Sequence, residues 1–362
     1  MKNCHIAYLA CAAALLGTGL GAAPSVAGHA AAGHSARHTV HRVQPGESIQ
    51  KVVDAALPGD TVLLAAGTYH ESVTVSASGL TLRGMGRDTV IQPDPAVKAV
   101  GACAEAGNGI CVQGTTDKNV EDVTVASLTV TGFTKSGVSA TSTDGLTVRN
   151  VAALKNGVWG IAAERSVHSL FRDNTARDNG DAGLFLANSI NQEQGATDTE
   201  GTLVEHNRLE GNRIGVTVRR LRDLTVARNH LTGNCAAVFV VGDENKPKAG
   251  FVTVRENRIE RNNKSCPKTA RLDALQGSGI VLTGAEDSLI SDNVIKDNAG
   301  TSPLSGGIVL FKSFVGTTSD RNRITGNTLR GNSPADLVNA DTGTGNTFEG
   351  NSCRESKPAG LC

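Results

Sequence analysis

Asn207-Arg208-Leu209-Glu210-Gly211-Asn212 is followed, twenty-two residues further on, by Asn229-His230-Leu231-Thr232-Gly233-Asn234. Both have the form Asn-x-apolar-x-x-Asn. Five more copies occur: Asn174–Asn179, Asn257–Asn262, Asn293–Asn298, Asn327–Asn332 and Asn346–Asn351. The apolar residue is Ala176, Leu209, Leu231, Ile259, Ile295, Leu329 or Phe348. Asn322–Asn327 overlaps one of these copies, and Asn150 with Asn156 forms a looser forerunner. Successive copies start 33, 22, 28, 36, 34 and 19 residues apart. A unit near 22 residues with insertions accounts for most of these gaps, and such a period marks a solenoid.

Around each block lie short strand-like runs. Leu224-Thr225-Val226 and Leu289-Ile290-Ser291 precede it; Gly215-Val216-Thr217-Val218, Gly279-Ile280-Val281-Leu282 and Gly307-Ile308-Val309-Leu310 follow it. They alternate or stay apolar over four or five residues, which is strand behaviour. No stretch after residue 60 keeps a 3.6-residue period for three turns. Each coil is therefore two or three short strands stacked on the next at ~4.8 Å. The fold class is all-β, a single-domain parallel β-helix. The Asn residues have a mechanical role, since a side-chain amide carries both donors and an acceptor and can bond from coil to coil. Asn also tolerates the left-handed backbone of tight turns.

Composition agrees. Gly is 42 of 362 residues, about 12% against a typical ~7%, and aromatics are only 3%. Many tight turns and small side chains follow. With 35 basic against 35 acidic residues the net charge is +0, which removes the electrostatic case for nucleic acid or an anionic membrane.

Met1-Lys2, the apolar stretch Ile6 to Leu20 and the small residues Ser25-Val26-Ala27 read as a signal peptide over 1–27. Residues 28–42 are Ala/Gly/His-rich without periodicity and read as a flexible linker, whose His29, His34, His38 and His41 offer at most a loose transition-metal site. No later segment is long and apolar enough for a membrane span. The mature chain is expected to be secreted, extracellular and monomeric. Six cysteines remain in it: Cys103, Cys111, Cys235, Cys266, Cys353 and Cys362. An even count in an exported chain reads as disulfides. Sequence neighbours give Cys103–Cys111, Cys235–Cys266 and Cys353–Cys362 among the pairings that six allow.

A solenoid must cap its ends. Ser48 to Leu57 puts Ile49, Val52, Val53 and Ala56 on one helical face, with Ser48 as N-cap and Pro58-Gly59 as stop. This is an amphipathic lid over the first coil. Residues 353–362, stapled by Cys353–Cys362, cover the other end, which leaves 43–352 for the helix proper. The stretches Gly46 to Gln50, Pro58-Gly59-Asp60-Thr61-Val62 and Gly67-Thr68-Tyr69-His70-Glu71 resemble the opening of pectate-lyase-like β-helix proteins. The Asn blocks resemble the NosD-like right-handed β-helix region of that superfamily. The resemblance implies a right-handed coil and, commonly, a polysaccharide partner on an exposed parallel sheet. It leaves activity open. The Asn-Thr-Asp, paired-Asp, Gly-His-Gly and Arg-x-Lys set of polygalacturonases, the Asp-Pro-His-Glu of alginate epimerases and the Gly-Gly-x-Gly-x-Asp calcium repeat are absent. Tyr69-His70-Glu71 sits in a first coil, where a structural role is expected.

Taking the aliphatic residue after each glycine as inward gives Ile161, Leu184, Val216, Val238, Ile280 and Ile308. Alternation then sends Ala162, Phe185, Thr217, Phe239, Val281 and Val309 outward, and next Glu164, Ala187, Arg219, Val241, Thr283 and Phe311. The insertions Asn188–Gly201, Gly242–Gly250, Asn263–Gln276 and Gly300–Ser305 flank this apolar face and build either a groove or a cover over it. In an open groove Phe185, Phe239, Phe311 and Trp159 are the candidate sugar-stacking residues. Arg219 and Lys312 are the candidate cations for a uronate carboxylate in a β-eliminating lyase, with Glu164 orienting Arg219; the competing reading of Glu164 and Arg219 is a surface ion pair. Asp243 and Glu244 are a thin candidate set for Ca²⁺, which prefers 6–8 oxygens. His168, His206 and His230 read as solvated. Three functions stay open: a polysaccharide-binding protein that also cleaves uronic-acid polymers by β-elimination, a non-catalytic binding or scaffold module, and a NosD-like accessory factor in metal-enzyme maturation.

Overall fold

The computed structural model describes residues 38–362 apart from positions 95, 97, 98 and 271. The expected signal peptide and most of the linker, including His29 and His34, lie outside the described residues. Three parallel sheets of thirteen, ten and twelve strands run the length of the stack, and each coil contributes a strand to every sheet it reaches. The chain folds as a right-handed parallel β-helix. Inward aliphatic columns fill the interior. Val148, Phe171, Val204, Val226, Val254 and Ile290 of the first sheet are fully buried, as are Leu209, Leu231, Ile259 and Ile295 of the second. So are all six residues expected inward on the third. Each such side chain contributes about 1.5–3 kcal/mol.

The Asn blocks are the strands of the second sheet with their two corners. Arg208–Glu210 is one such strand, and Asn207 and Asn212 flank it. Two asparagine ladders result. Asn174, Asn207, Asn229, Asn257, Asn293, Asn327 and Asn351 stack before the second sheet. Asn156, Asn179, Asn212, Asn234, Asn262, Asn298 and Asn332 stack before the third. In each rung the Oδ1 accepts from both the backbone N–H and the Nδ2 of the preceding Asn; Asn229 Oδ1 receives Asn207 N and Nδ2, both at 2.9 Å. The Nδ2 also donates to a strand carbonyl, as Asn207 does to Phe171 O at 2.9 Å. Buried amides are thus satisfied on every side. The second ladder ends where Asp336 Oδ1 accepts from Asn332.

Two details differ from the sequence reading. The left-handed residue at each corner is the one before the Asn: Asp173, Asp178, His206, Arg228, Glu256, Arg261, Asp292 and Asp297, or a glycine such as Gly211. In the ladders the asparagine is needed for its amide, not its backbone; Asn150, outside them, is itself left-handed at φ 54°. Asn346–Asn351 also belongs elsewhere. Its Phe348 lies on the first sheet, paired with Ile324, and Asn346 stacks on Asn322. The anomalous spacing of 19 therefore joins two different sides of the coil, while the true ladder step, Asn327 to Asn351, is 24 residues.

The glycine opening most third-sheet runs, replaced by Ala237 in one, has a packing cause. A Cβ at Gly183 would sit 2.8 Å from Gly215 O and 3.0 Å from Asn212 Nδ2. The corner ladder and the next strand leave room for hydrogen only.

The N-terminal lid forms as Ile49–Ala55, with Ile49, Val53 and Ala56 buried against the first coil. Ser48 Oγ accepts from Lys51 N, and the Glu71 carboxylate accepts from Ser48 Oγ, Ile49 N and Gln50 N. Tyr69 donates to Val43 O and Ala65 O. Tyr69 and Glu71 are thus structural. Beside the lid, His41 foremost and then the Thr39 and Leu57 N–H groups hold the Asp60 carboxyl at about 2. Sheet pairing begins at Val40, inside the segment expected as linker 28–42, because Val40–Val43 pairs with Thr61–Leu64. It ends inside the expected tail, where Ser356–Lys357 pairs with Leu337–Val338. Among the described residues no helix is long and apolar enough to cross a membrane.

Candidate functional site

The third sheet has the expected register. Ala162, Phe185, Thr217, Phe239, Val281 and Val309 are successive partners, as are Glu164, Ala187, Arg219, Val241, Thr283 and Phe311. Insertions in several coils rise beside this face and fold partly over it. Under Leu275, Leu304 and the Cys235–Cys266 bridge, Val281 and Val309 are fully buried. Further toward the N-terminus the loops stand apart and leave a groove of about 1070 Å³. The apolar stripe is therefore both covered and open, in different coils.

Trp159, Phe185, Thr217 and Phe239 line the groove floor. Trp159 stacks on Phe185 with ring centroids 4.5 Å apart, and its Nε1 donates to Asp181 Oδ2 at 3.1 Å. Both rings are 7% exposed. Thr217 and Thr283 line the groove, and their buried hydroxyls have no hydrogen-bond partner among the described residues. Phe314 and Val315, each 58% exposed, form part of one rim.

Three arginines hold the walls. Arg213 donates to Pro267 O at 2.6 Å and Asp273 O at 3.0 Å, which pins the loop around 264–276 together with Cys235–Cys266. Burial pulls its guanidinium below the ordinary arginine value. Arg219 donates to Ser189 O and Ile190 O, and Glu164 Oε1 accepts Ile190 N at 3.1 Å. Glu164 and Arg219 thus grip one loop from opposite hydrogen-bonding senses. Arg220, 5% exposed at its side chain, donates to Gln192 O and pairs with Asp243 and Glu193. Its positive φ of 53° takes it out of the strand alternation.

The candidate residues divide accordingly. Trp159, Phe185, Phe239, Arg219, Asp243 and Glu244 line the groove. Phe311, Lys312 and Glu164 are not among its lining residues: Phe311 packs on Phe314 at 5.6 Å, Lys312 is exposed at the strand end, and Glu164 also pairs with Arg165 at 3.0 Å. The proposed trio Arg219, Lys312 and Glu164 is not assembled around one point of the groove. Asp243 is engaged by Arg220 and by Asn245 N and Nδ2, so with Glu244 it makes a poor fit to calcium. Among the described residues no three of His, Cys, Asp and Glu gather as a metal set. The three cysteine pairs form as expected from sequence neighbours. His206 and His230 contact Arg228 and Glu260, and His41 is bound to Asp60. His168 lies between Asp144 and Glu200, and the Asp144 hydrogen bond raises its pKa above the usual value.

Sequence reasoning missed Asp181, Arg213, Arg220 and Glu193. Asp181 and Arg213 leave the second ladder's corner just before the third-sheet strands, one column earlier than the columns counted from the glycine. A charged residue directly after Asn212 was the available signal.

Residues 97–251 match the family profile described as right handed beta helix region, and residues 189–358 match that of periplasmic copper-binding protein (NosD). Among solved structures the chain is similar to the A-module of mannuronan C-5 epimerase AlgE4 from Azotobacter vinelandii, at 20% identity over 86% of this chain and 95% of that one, TM-score 0.56. It is also similar to an alginate lyase from Paenibacillus sp. str. FPU-7, at 13% identity over 84% and 99%, TM-score 0.59. DFA-IIIase from Arthrobacter chlorophenolicus A6, in complex with GF2, gives 13% identity over 86% and 83%, TM-score 0.61. No curated protein matches.

Proposed function

We propose, for a chain that is a right-handed parallel β-helix protein of the pectate-lyase-like superfamily, that it is an exported protein holding a saccharide chain in the groove over its third sheet. The observation that carries the reading is that groove, floored by aromatic side chains and walled by loops that a disulfide and three arginines fix in place. Its volume is at the upper end of the ~300–1,000 Å³ of small-ligand sites and has room for more than one sugar ring. Preformed walls lower the ordering cost of binding. Three disulfides fit an oxidising compartment, in keeping with secretion. The substrates named for the similar epimerase and lyase, mannuronan and alginate, support a polysaccharide as the ligand class. Binding is favoured over β-elimination because Arg219 alone of the candidate trio lines the groove.

Trp159 is the chain's single tryptophan, so its emission reports on the groove. Titration with alginate, pectate, xylan and β-glucan oligosaccharides is expected to give a saturable change with at least one, weakened about tenfold in Phe314→Ala. Silence toward all of them, in fluorescence and in calorimetry, overturns the reading. New unsaturated-uronate absorbance on incubation would replace binding by lyase activity.

A further inference from the structure

We infer that the groove is built for a neutral saccharide, one whose units carry hydroxyls and no carboxylates. This rests on the carbohydrate reading above and names the class of chain within it. Among the described residues four cations line the groove: Arg213, Arg219, Arg220 and Lys264. The three arginines are turned inward to hold the protein's own backbone, and the exposed Lys264 reaches back to a backbone carbonyl. Arg213 serves two carbonyls, Arg219 serves Ser189 O and Ile190 O, Arg220 serves Gln192 O beside two carboxylates, and Lys264 Nζ donates to Gly211 O. Arg213 and Arg220 are about 95% buried at their side chains.

Among the described residues the exposed wall charge is mainly acidic, two carboxylates, Glu193 and Glu244, standing against one exposed cation, Lys264. Glu193 is 73% exposed, and Glu244 is exposed beside it on the neighbouring loop. A uronate chain laid there would meet carboxylates at the rim and find the guanidinium groups already donating to carbonyls. Like charges brought together in a partly desolvated groove repel. A neutral sugar meets the same groups as partners. Carboxylate oxygens accept hydrogen bonds from sugar hydroxyls, and such charge-assisted bonds are roughly twice as strong as neutral ones. The rings supply apolar contact for a sugar face. Lys135, with Nζ 5.9 Å from the Trp159 ring centroid, is not among the lining residues.

The test uses matched chains. Alginate and pectate oligosaccharides are compared with the same oligosaccharides after reduction of every carboxyl to CH₂OH, with Trp159 emission as readout. The reduced chain of at least one pair is expected to bind at least tenfold tighter than its parent. In Glu193→Gln/Glu244→Gln, both exposed positions, the gap is expected to narrow about tenfold through tighter binding of the parent. A parent that binds more tightly, or a gap unchanged in the double variant, overturns the inference and leaves the carbohydrate reading standing. Silence toward both members of each pair, and toward xylan and β-glucan, overturns the two together.

Discussion

The corners before the second sheet and the loops over the third are built on opposite rules. At the corners one side chain repeats, and each copy satisfies the next: Asn207 takes its acceptor from Asn229, which takes its own from Asn257. Over the third sheet no residue repeats. Arg213 holds one loop through Pro267 O and Asp273 O, while Arg219 and Arg220 hold another through Ser189 O, Ile190 O and Gln192 O. The first arrangement is translationally periodic and specifies the stack. The second is singular and specifies a shape. Coils that obey the same corner rule therefore vary from 22 to 36 residues in length, since insertions enter only where the ladder does not pass.

Removing one rung is expected to have the largest effect. Asn207→Ala leaves the Asn174 N and Nδ2, and the Phe171 carbonyl, without their partner. At ~1–3 kcal/mol for each buried group left unsatisfied, the loss is about 3–5 kcal/mol in urea unfolding. Asn150→Ala, at an exposed corner outside the ladders whose own φ is 54°, is expected to cost about 1 kcal/mol through the backbone alone. Equal effects would break the distinction between the two kinds of asparagine.

The groove side is expected to respond in a different observable. Cys235→Ser/Cys266→Ser opens a loop of 31 residues and should cost about 3–4 kcal/mol. Its distinctive sign is local: hydrogen exchange across 263–276 rises more than across the second-sheet strands. Uniform acceleration would show that the wall and the ladder are one cooperative unit.

The smallest effect has the opposite sign. Lys155 holds φ +52° before Asn156 and is exposed. Since a left-handed L-residue costs ~1–2 kcal/mol and glycine gives back part of that in chain entropy, Lys155→Gly is expected to stabilise by about 0.5 kcal/mol. A loss would mean that the lysine side chain, not the corner backbone, matters there.

Much of the fold was legible because its cause is local and repeated. The Asn blocks, the alternation behind Ile161 to Ile308, and the lid from Ser48 are each written within a few residues. The left-handed position was misassigned to the Asn because amide chemistry and backbone tolerance reside in the same residue type, and only the backbone angles separate them. The candidate site was legible by half. Phe185 and Phe239 follow from strand parity, whereas Arg220 departs from parity through its left-handed backbone, and Lys312 fell just beyond the wall it was expected to join.

The sequence alone determined the stack: the repeated coil unit, the inward column of the third sheet and that sheet's register. Each depends on contacts between residues at fixed spacing. Only the tertiary structure decided which stretch of the apolar face stays open, and that its arginines face their own loops. Those outcomes depend on where inserted segments of unequal length come to rest, and no periodicity in the chain encodes that.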